Sequence, residues 1–291
     1  MTERTSIYDD LKNEELLANF YRNRYDSQII YPVVSENPLL IRAFANVDRA
    51  HFLPDSHESP LDAYEDKIIS LKERSTISQP SLVASMLQQL DVDGTGRGLE
   101  IGTASGYNAA VMAQCMDDVV TIEYEKDLAE SAKEKLVSHG VNNVDVITGD
   151  GLEGYSEKAP FDRIIVTAGL RNIPQTLADQ LADGGVMIAP VGRKHPNMQQ
   201  LLRIQKTQGK FMYRVIEPVR FVPAVSDLPG GWRQEDMNKI KENQIAYIES
   251  SGIKFDTFIA SLAAVHTIEV SEDLVNYVLS SFPFPDSIYD Q

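Results

Sequence analysis

From about Ser78 to Val225, short apolar runs alternate with longer amphipathic stretches, the pattern of a doubly wound parallel sheet with helices on both faces. An apolar strand ending in the acidic Glu100 leads into a glycine turn and then a helix of small residues, Ala109 and Ala110 among them. Val119–Tyr124 reads as a second strand. Lys126–Ser138 reads as an amphipathic helix with Leu128, Ala132 and Leu136 on one face. Further strands are predicted at Val144–Thr148, Arg163–Thr167 and Val186–Pro190, the last preceded by a turn at Gly184-Gly185. Upstream, Tyr8 to Val47 reads as polar helix broken near Pro32 and Pro38, with a short apolar helix over Pro38–Phe44. Beyond the break at Pro229-Gly230-Gly231, helices are expected over Glu235–Ser250 and Ser271–Ser281. The expected division is an N-terminal helical, substrate-side segment (1–75), a core (76–225) and a largely helical C-terminal extension (226–291).

Composition narrows the function classes. The 291 residues carry a net charge of −16, which argues against a phosphate-backbone partner. The single cysteine, Cys115, follows an apolar helical run and reads as a core thiol, so no disulfide forms within the chain. No apolar run is long enough to span a bilayer and no signal peptide is visible, so a cytoplasmic protein is expected. The five histidines are scattered, without metal-ligand spacing, and no metal is expected.

Leu99-Glu100-Ile101-Gly102-Thr103-Ala104-Ser105-Gly106-Tyr107 carries the most chemistry. A dinucleotide fingerprint needs glycines at i, i+2 and i+5, but from Gly102 those later positions hold Ala104 and Tyr107. No Gly-Lys-Ser/Thr follows, which excludes a P-loop. Glu-x-Gly-x-x-x-Gly instead suits S-adenosylmethionine, which has no phosphate to cradle. Gly102 and Gly106 let the backbone approach its amino-acid end, and Glu100 is a candidate acceptor for the ammonium, directly or through water. Glu123, ending the second strand, is placed to take the ribose hydroxyls. Asp150, between Gly149 and Gly151, is placed for adenine, although Asp-Gly is also a turn dipeptide.

From about Val47 to Val225 the chain resembles the protein-L-isoaspartate O-methyltransferase family. The matching pieces are Val47-Asp48-Arg49-Ala50-His51-Phe52, Thr76-Ile77-Ser78-Gln79-Pro80, the glycine turn, Gly149-Asp150-Gly151, Ala159-Pro160-Phe161-Asp162, Ile165-Val166-Thr167-Ala168, Pro190-Val191-Gly192 and Phe221-Val222-Pro223. The resemblance implies an α/β, doubly wound, Rossmann-like methyltransferase fold and an S-adenosylmethionine-dependent enzyme that methylates isoaspartyl or aspartyl carboxylates of proteins or peptides. It implies that Ile77, Glu100, Gly102, Thr103, Ser105, Gly106, Glu123, Tyr124, Asp150 and Gly151 bind the cofactor. Ser78 takes the place of the active-site hydroxyl, and Ser75, Thr76, Ser81, Val222 and Pro223 face the substrate. On its own, Ser78 also reads as a helix N-cap or turn residue ahead of Pro80.

The departures from that family fall on the substrate side. Leu71-Lys72-Glu73-Arg74-Ser75 stands where repair enzymes carry a Gly-x-Gly-Gln stretch. Ser81 stands where an aromatic or His is common, and Gly169-Leu170-Arg171-Asn172 replaces a small Ala-rich loop. The run Ser78-Gln79-Pro80-Ser81-Leu82, the stretch Gly106-Tyr107-Asn108-Ala109-Ala110 and the C-terminal extension are similar to homologues that methylate an aspartate of a dedicated ribosomal peptide, whose ester closes to an aspartimide. The extension is then expected to hold the substrate peptide or a second subunit. A cofactor-binding protein without catalysis is the alternative from another class, against which Glu100, Glu123, Asp150 and Ser78 count. Nucleic-acid methylation is disfavoured by the lack of an Asn/Asp-Pro-Pro-aromatic motif and of a basic face.

Overall fold

A computed structural model gives the fold and describes residues 14–57, 59–72, 75–193, 196, 198–250, 252, 254–256 and 259. The expected helix at Ser271–Ser281, the residues before 14, and Glu73 and Arg74 lie outside them.

The centre is a seven-stranded sheet. After a small antiparallel hairpin of β1 (Ile69–Lys72) and β2 (Ser75–Ile77) come β3 (Arg97–Ile101), β4 (Asp118–Glu123), β5 (Val144–Thr148), β6 (Phe161–Val166), β7 (Leu181–Val191), β8 (Gln199–Thr207) and β9 (Lys210–Val219). Their spatial order is β5-β4-β3-β6-β7-β8-β9, parallel through β7 and antiparallel beyond it. The chain winds outward from β3 to β5, then returns to add β6 on the other side of β3. The carboxyl ends of β3 and β6 therefore flank the switch point where open α/β sheets bind ligands.

The helices are α1 (Glu14–Tyr25), α2 (Pro38–Asn46), α3 (Pro80–Leu90), α4 (Tyr107–Ala113), α5 (Lys126–Ser138), α6 (Gln175–Gln180) and α7 (Gln234–Glu249). One face of the sheet shares a core with α3, α4 and the N-terminal segment, where Leu40, Phe44 and Phe52 pack with Leu87, Val111 and Met112. The other face buries Leu99, Ile101, Val120, Ile122, Ile164 and Val166 with Leu177 of α6. In β3 the period-2 alternation leaves Gly98 and Glu100 pointing away from Leu99 and Ile101. A Cβ at Gly98 would lie 2.3 Å from Met112 Cε, so the Met112 side chain of α4 packs into the space the glycine leaves on the sheet.

Two boundaries differ from the sequence expectation. Pro32 does not break the N-terminal helix. A π-type turn at Asp26–Ile30 carries the helix on into Tyr31–Val34, where Pro32 sits in a first turn that needs no N–H from it. The break comes before Pro38, where Asn37 caps α2 through Leu39 N (3.1 Å) and Leu40 N (3.2 Å). Gly184-Gly185 is a bulge inside β7 rather than a turn before it, since Phe161 pairs with Leu181 but Arg163 with Val186. The β8–β9 hairpin turns at Gln208 and Gly209, which both take positive φ, the two-residue turn that matches strand twist.

Candidate active site

The glycine turn follows β3 directly. Gly102 has φ +98°, and a Cβ there would lie 2.5 Å from Thr167 Oγ1. Thr167, just past β6, ties the two strand ends together: its N donates to the Ile101 carbonyl (2.9 Å) and its hydroxyl lies 2.7 Å from the Gly102 carbonyl. Gly106, at φ +86°, opens α4, and a Cβ there would press on Leu136 and Ala132 of α5. Between the glycines, Gly106 N donates to the Thr103 carbonyl (2.8 Å), and Ser105 Oγ accepts from Tyr107 N (3.3 Å). Ala104 holds φ +49°, a left-handed conformation that costs a side chain about 1–2 kcal/mol.

Glu123 fixes that strained residue. Its carboxylate accepts from Ala104 N (2.8 Å) and Glu125 N (3.1 Å) while keeping 8 % of its surface exposed. Next to it in the chain, Tyr124 is 63 % exposed. Gly149 N donates to the Glu123 carbonyl (2.9 Å), which aligns the third strand end with the second. Asp150 uses one oxygen to cap the turn at Leu152 N (2.9 Å) and takes the Ser226 hydroxyl with the other (2.5 Å). The turn reading of Asp150 therefore holds. A Cβ at Gly151 would collide with Ile101, so the loop lies against β3.

Glu100 differs from the sequence expectation. It has no exposed surface, and its oxygens accept from Asn108 Nδ2 (2.7 Å) and Thr121 Oγ1 (2.6 Å). Thr103 Oγ1 joins the chain at Thr121 Oγ1 (2.6 Å). In this arrangement Glu100 supports the glycine turn and α4 from beneath rather than offering a free oxygen to an ammonium. Burial pushes its carboxyl up to about 7, opposed by the hydrogen bonds from Thr121 and Asn108. An unfolded glutamate titrates near 4.3. Between those values the folded chain keeps a proton that the unfolded chain has lost, so Glu100 makes stability fall as pH rises through the window. Glu100→Gln is expected to flatten that slope, raising Tm above wild type at about pH 8 and matching it near pH 4, as read by scanning calorimetry. Parallel pH profiles would refute the assignment.

The β1–β2 hairpin delivers the other side of the site. Ser75 pairs with Lys72 and Thr76 with Ser70, while Lys72 Nζ reaches Asp127 Oδ2 (3.3 Å) at the start of α5, just beyond Glu123. Ile77 is buried in the core, so a cofactor contact there falls to its main chain. Ser78 does not cap α3: the N-cap is Gln79, and Pro80 opens the helix. The capping reading fails because Ser78 lies one residue too early. Asp66 instead serves the helix start, accepting from Ser81 N (2.9 Å) and Ser81 Oγ (2.8 Å). Across the switch point, Gly169 N donates to the Val222 carbonyl (2.8 Å) and Ala224 N to the Gly169 carbonyl (2.9 Å), so Val222 and Pro223 form an extended edge beside the loop after β6.

The residues that fit a nucleoside cofactor are thus a turn whose glycines cannot carry a Cβ, a rim carboxylate, an exposed aromatic and an acidic loop. Asn108, Thr121, Thr167 and Ser226 were not singled out from the sequence. Each acts through a neighbour in space that no local spacing marks. Among the described residues there is no cluster of three metal-ligating side chains and no helix long and apolar enough to cross a membrane.

Comparison with known proteins agrees with this geometry. Residues 25–228 match the family model for protein-L-isoaspartate(D-aspartate) O-methyltransferase. A protein-L-isoaspartate O-methyltransferase from Methanoculleus marisnigri is 40 % identical over 196 residues, covering 67 % of this chain and 86 % of its own length. One from Shewanella pealeana is 40 % identical over 210 residues, 72 % of this chain and 93 % of its own. A solved protein-L-isoaspartate O-methyltransferase superposes with a TM-score of 0.64 at 30 % identity, over 75 % of this chain and 69 % of that one. A Plasmodium falciparum structure holding S-adenosyl-L-homocysteine shares the fold, with a TM-score of 0.59 at 23 % identity over 72 % of this chain and 97 % of that one. The switch-point glycine turn, the carboxylate at the second strand end and the matched span lead to one conclusion: this chain belongs to the protein-L-isoaspartate(D-aspartate) O-methyltransferase family, an S-adenosylmethionine-dependent enzyme family.

Proposed function

We propose that this protein methylates the side-chain carboxylate of an isoaspartyl residue in a protein or peptide, with Ser78 holding the carboxylate and the turn from Gly102 to Gly106 holding the cofactor. The observation that carries the reading is the tie of Ser78 to the helix after the glycine turn through Arg49, which donates to the Ser78 carbonyl (3.1 Å) and stands over the Tyr107 ring. The cofactor supplies an electrophilic methyl group on a sulfonium. The chain's task is to bind and align. A carboxylate with a pKa near 4 is already ionised at neutral pH, so no side chain has to remove a proton. Orientation of oxygen against methyl then carries most of the rate. The Ser78 hydroxyl donates to one carboxylate oxygen and leaves the other to attack. Glu123 accepts from the ribose hydroxyls, Tyr124 covers the nucleoside and Asp150 borders the adenine. On the substrate edge, Gly169 occupies the Val222 carbonyl and Ala224 N–H, and strand alternation aims the Pro223 carbonyl outward, toward a peptide backbone.

The test is a methyl-ester assay on the purified full chain, using a peptide in isoaspartyl and aspartyl forms. Methylation of the isoaspartyl form alone is the expected result. Ser78→Ala is expected to lower kcat/KM about tenfold, the worth of one hydrogen bond to a charged group, and to leave cofactor affinity unchanged in calorimetry. Equal activity in the variant would remove Ser78 from the mechanism.

One feature favours a second reading, a dedicated peptide whose aspartate is esterified and then closes to an aspartimide. The extension beyond residue 228 is anchored on the substrate edge. Trp232 is buried and donates from its main-chain N to the Ala224 carbonyl (2.9 Å). Arg171, in the altered loop, stacks 5.5 Å from the Trp232 ring and pairs with Asp236 at 3.0 Å in the first turn of α7. Methylation of the aspartyl form, with the isoaspartyl form ignored, would select this reading.

A further inference from the structure

Arg49 is buried to 1 % exposure, yet no acidic side chain lies within ion-pair distance of it among the described residues. Its fork is spent on main-chain carbonyls: Nη1 donates to Ala63 (2.7 Å), and Nη2 donates to Lys67 (3.1 Å) and to Ser78 (3.1 Å). Its guanidinium carbon stands 5.9 Å from the centre of the Tyr107 ring, and Tyr107 is the first residue of α4, directly after the glycine turn. The Tyr107 hydroxyl is in turn 2.6 Å from that of Tyr25. The acidic group that acts on it from further off is Asp66, whose carboxylate is engaged with Ser81. A buried charge with no ion-pair partner is costly, and a fold that needed only packing would be served as well by an apolar side chain.

We infer that Arg49 is a positioning residue for Ser78. It joins the loop at Ala63–Lys67, the active-site strand end and the first residue of the cofactor helix through one planar group. It also sets a positive charge behind the hydroxyl that receives the substrate carboxylate. Asp48 prepares this geometry from outside. It caps the turn at Ala50 N (3.1 Å) and accepts from the Tyr64 hydroxyl (2.9 Å), which leaves Arg49 pointing inward. Lysine keeps the charge but cannot serve three carbonyls from one plane, so the two substitutions separate geometry from charge.

The inference rests on the reading of Ser78 above, and one measurement is independent of it. In the full-chain protein without substrate, Arg49→Lys is expected to speed amide hydrogen exchange at residues 78–82 and at 64–68 while the central strands stay protected. With the isoaspartyl peptide, kcat/KM is expected to fall about 10- to 100-fold in Arg49→Lys and further in Arg49→Met, while S-adenosylhomocysteine affinity moves less than about threefold. The double variant Arg49→Lys/Ser78→Ala should be little worse than Arg49→Lys alone, because the hydroxyl contributes little once its loop is misplaced. Should Arg49→Met not fold, Arg49→Lys alone decides the matter. Exchange at residues 78–82 unchanged in Arg49→Lys, kcat/KM within twofold of wild type, or fully additive losses in the double variant would each overturn the inference. Loose exchange with no activity on any carboxyl peptide in the wild type would instead leave the anchor standing and overturn the substrate reading.

Discussion

Gly102→Ala is expected to raise the dissociation constant for S-adenosylhomocysteine at least about 100-fold and to lower Tm by roughly 10 °C. Two independent effects add at this position. A φ of +98° lies outside the regions that L side chains occupy, which costs about 1–3 kcal/mol. The new methyl would also stand 2.5 Å from Thr167 Oγ1. Thr167 cannot simply turn away, because its hydroxyl lies within hydrogen-bond distance of the Ile101 (3.0 Å) and Gly102 (2.7 Å) carbonyls and its N–H closes the same seam. The turn must therefore shift, and with it the backbone that approaches the cofactor. Gly102→Ala/Thr167→Ala separates the two effects: removing the hydroxyl relieves the collision and leaves the dihedral strain, so affinity should recover in part. Wild-type affinity in Gly102→Ala, measured by titration calorimetry, would show that the cofactor does not approach this turn.

How far the sequence reaches is visible at individual residues. The elements that the hydrophobic period marks fall where expected: α5 spans Lys126–Ser138 and β5 Val144–Thr148. The positions of Glu123, at the end of β4, and Asp150, just past β5, were legible because a parallel sheet brings successive carboxyl ends to one edge. Glu100 shows the limit of that logic. It ends no strand; it lies one residue inside β3, and period-2 alternation turns it into the layer beneath α4, where Asn108 and Thr121 meet it. Glu100 pairs with Thr121, so Glu123 lies two residues further along the same face, and position along the strand rather than alternation separates the partly exposed carboxylate from the fully buried one. The role of Arg49 is not legible from its motif, because its partners at 63, 67 and 78 are main-chain carbonyls, which carry no side-chain signature. Ser226 is equally invisible, since its contact with Asp150 spans 76 residues of chain.

Glu123→Ala is expected to weaken S-adenosylhomocysteine binding about 100-fold, through two losses that a single affinity cannot tell apart. In the proposed reading the carboxylate takes the ribose hydroxyls, and charge-assisted bonds of that kind are worth about 1.5–3 kcal/mol each. It also holds Ala104 N at 2.8 Å, in a turn where Ala104 already sits at φ +49°. Without that acceptor the left-handed residue is free to relax, and the backbone facing the methionine end relaxes with it. An analogue lacking both ribose hydroxyls distinguishes the effects. If the ribose contact dominates, wild type should bind the analogue weakly and Glu123→Ala should bind it no more weakly. If support of the turn dominates, the variant should lose the same factor for both ligands. Ala104→Gly in the Glu123→Ala background completes the argument, because glycine accepts the dihedral without help. Recovery of affinity there assigns the loss to the turn, and no recovery assigns it to the ribose. Unchanged affinity in Glu123→Ala itself would remove this carboxylate from the cofactor site altogether.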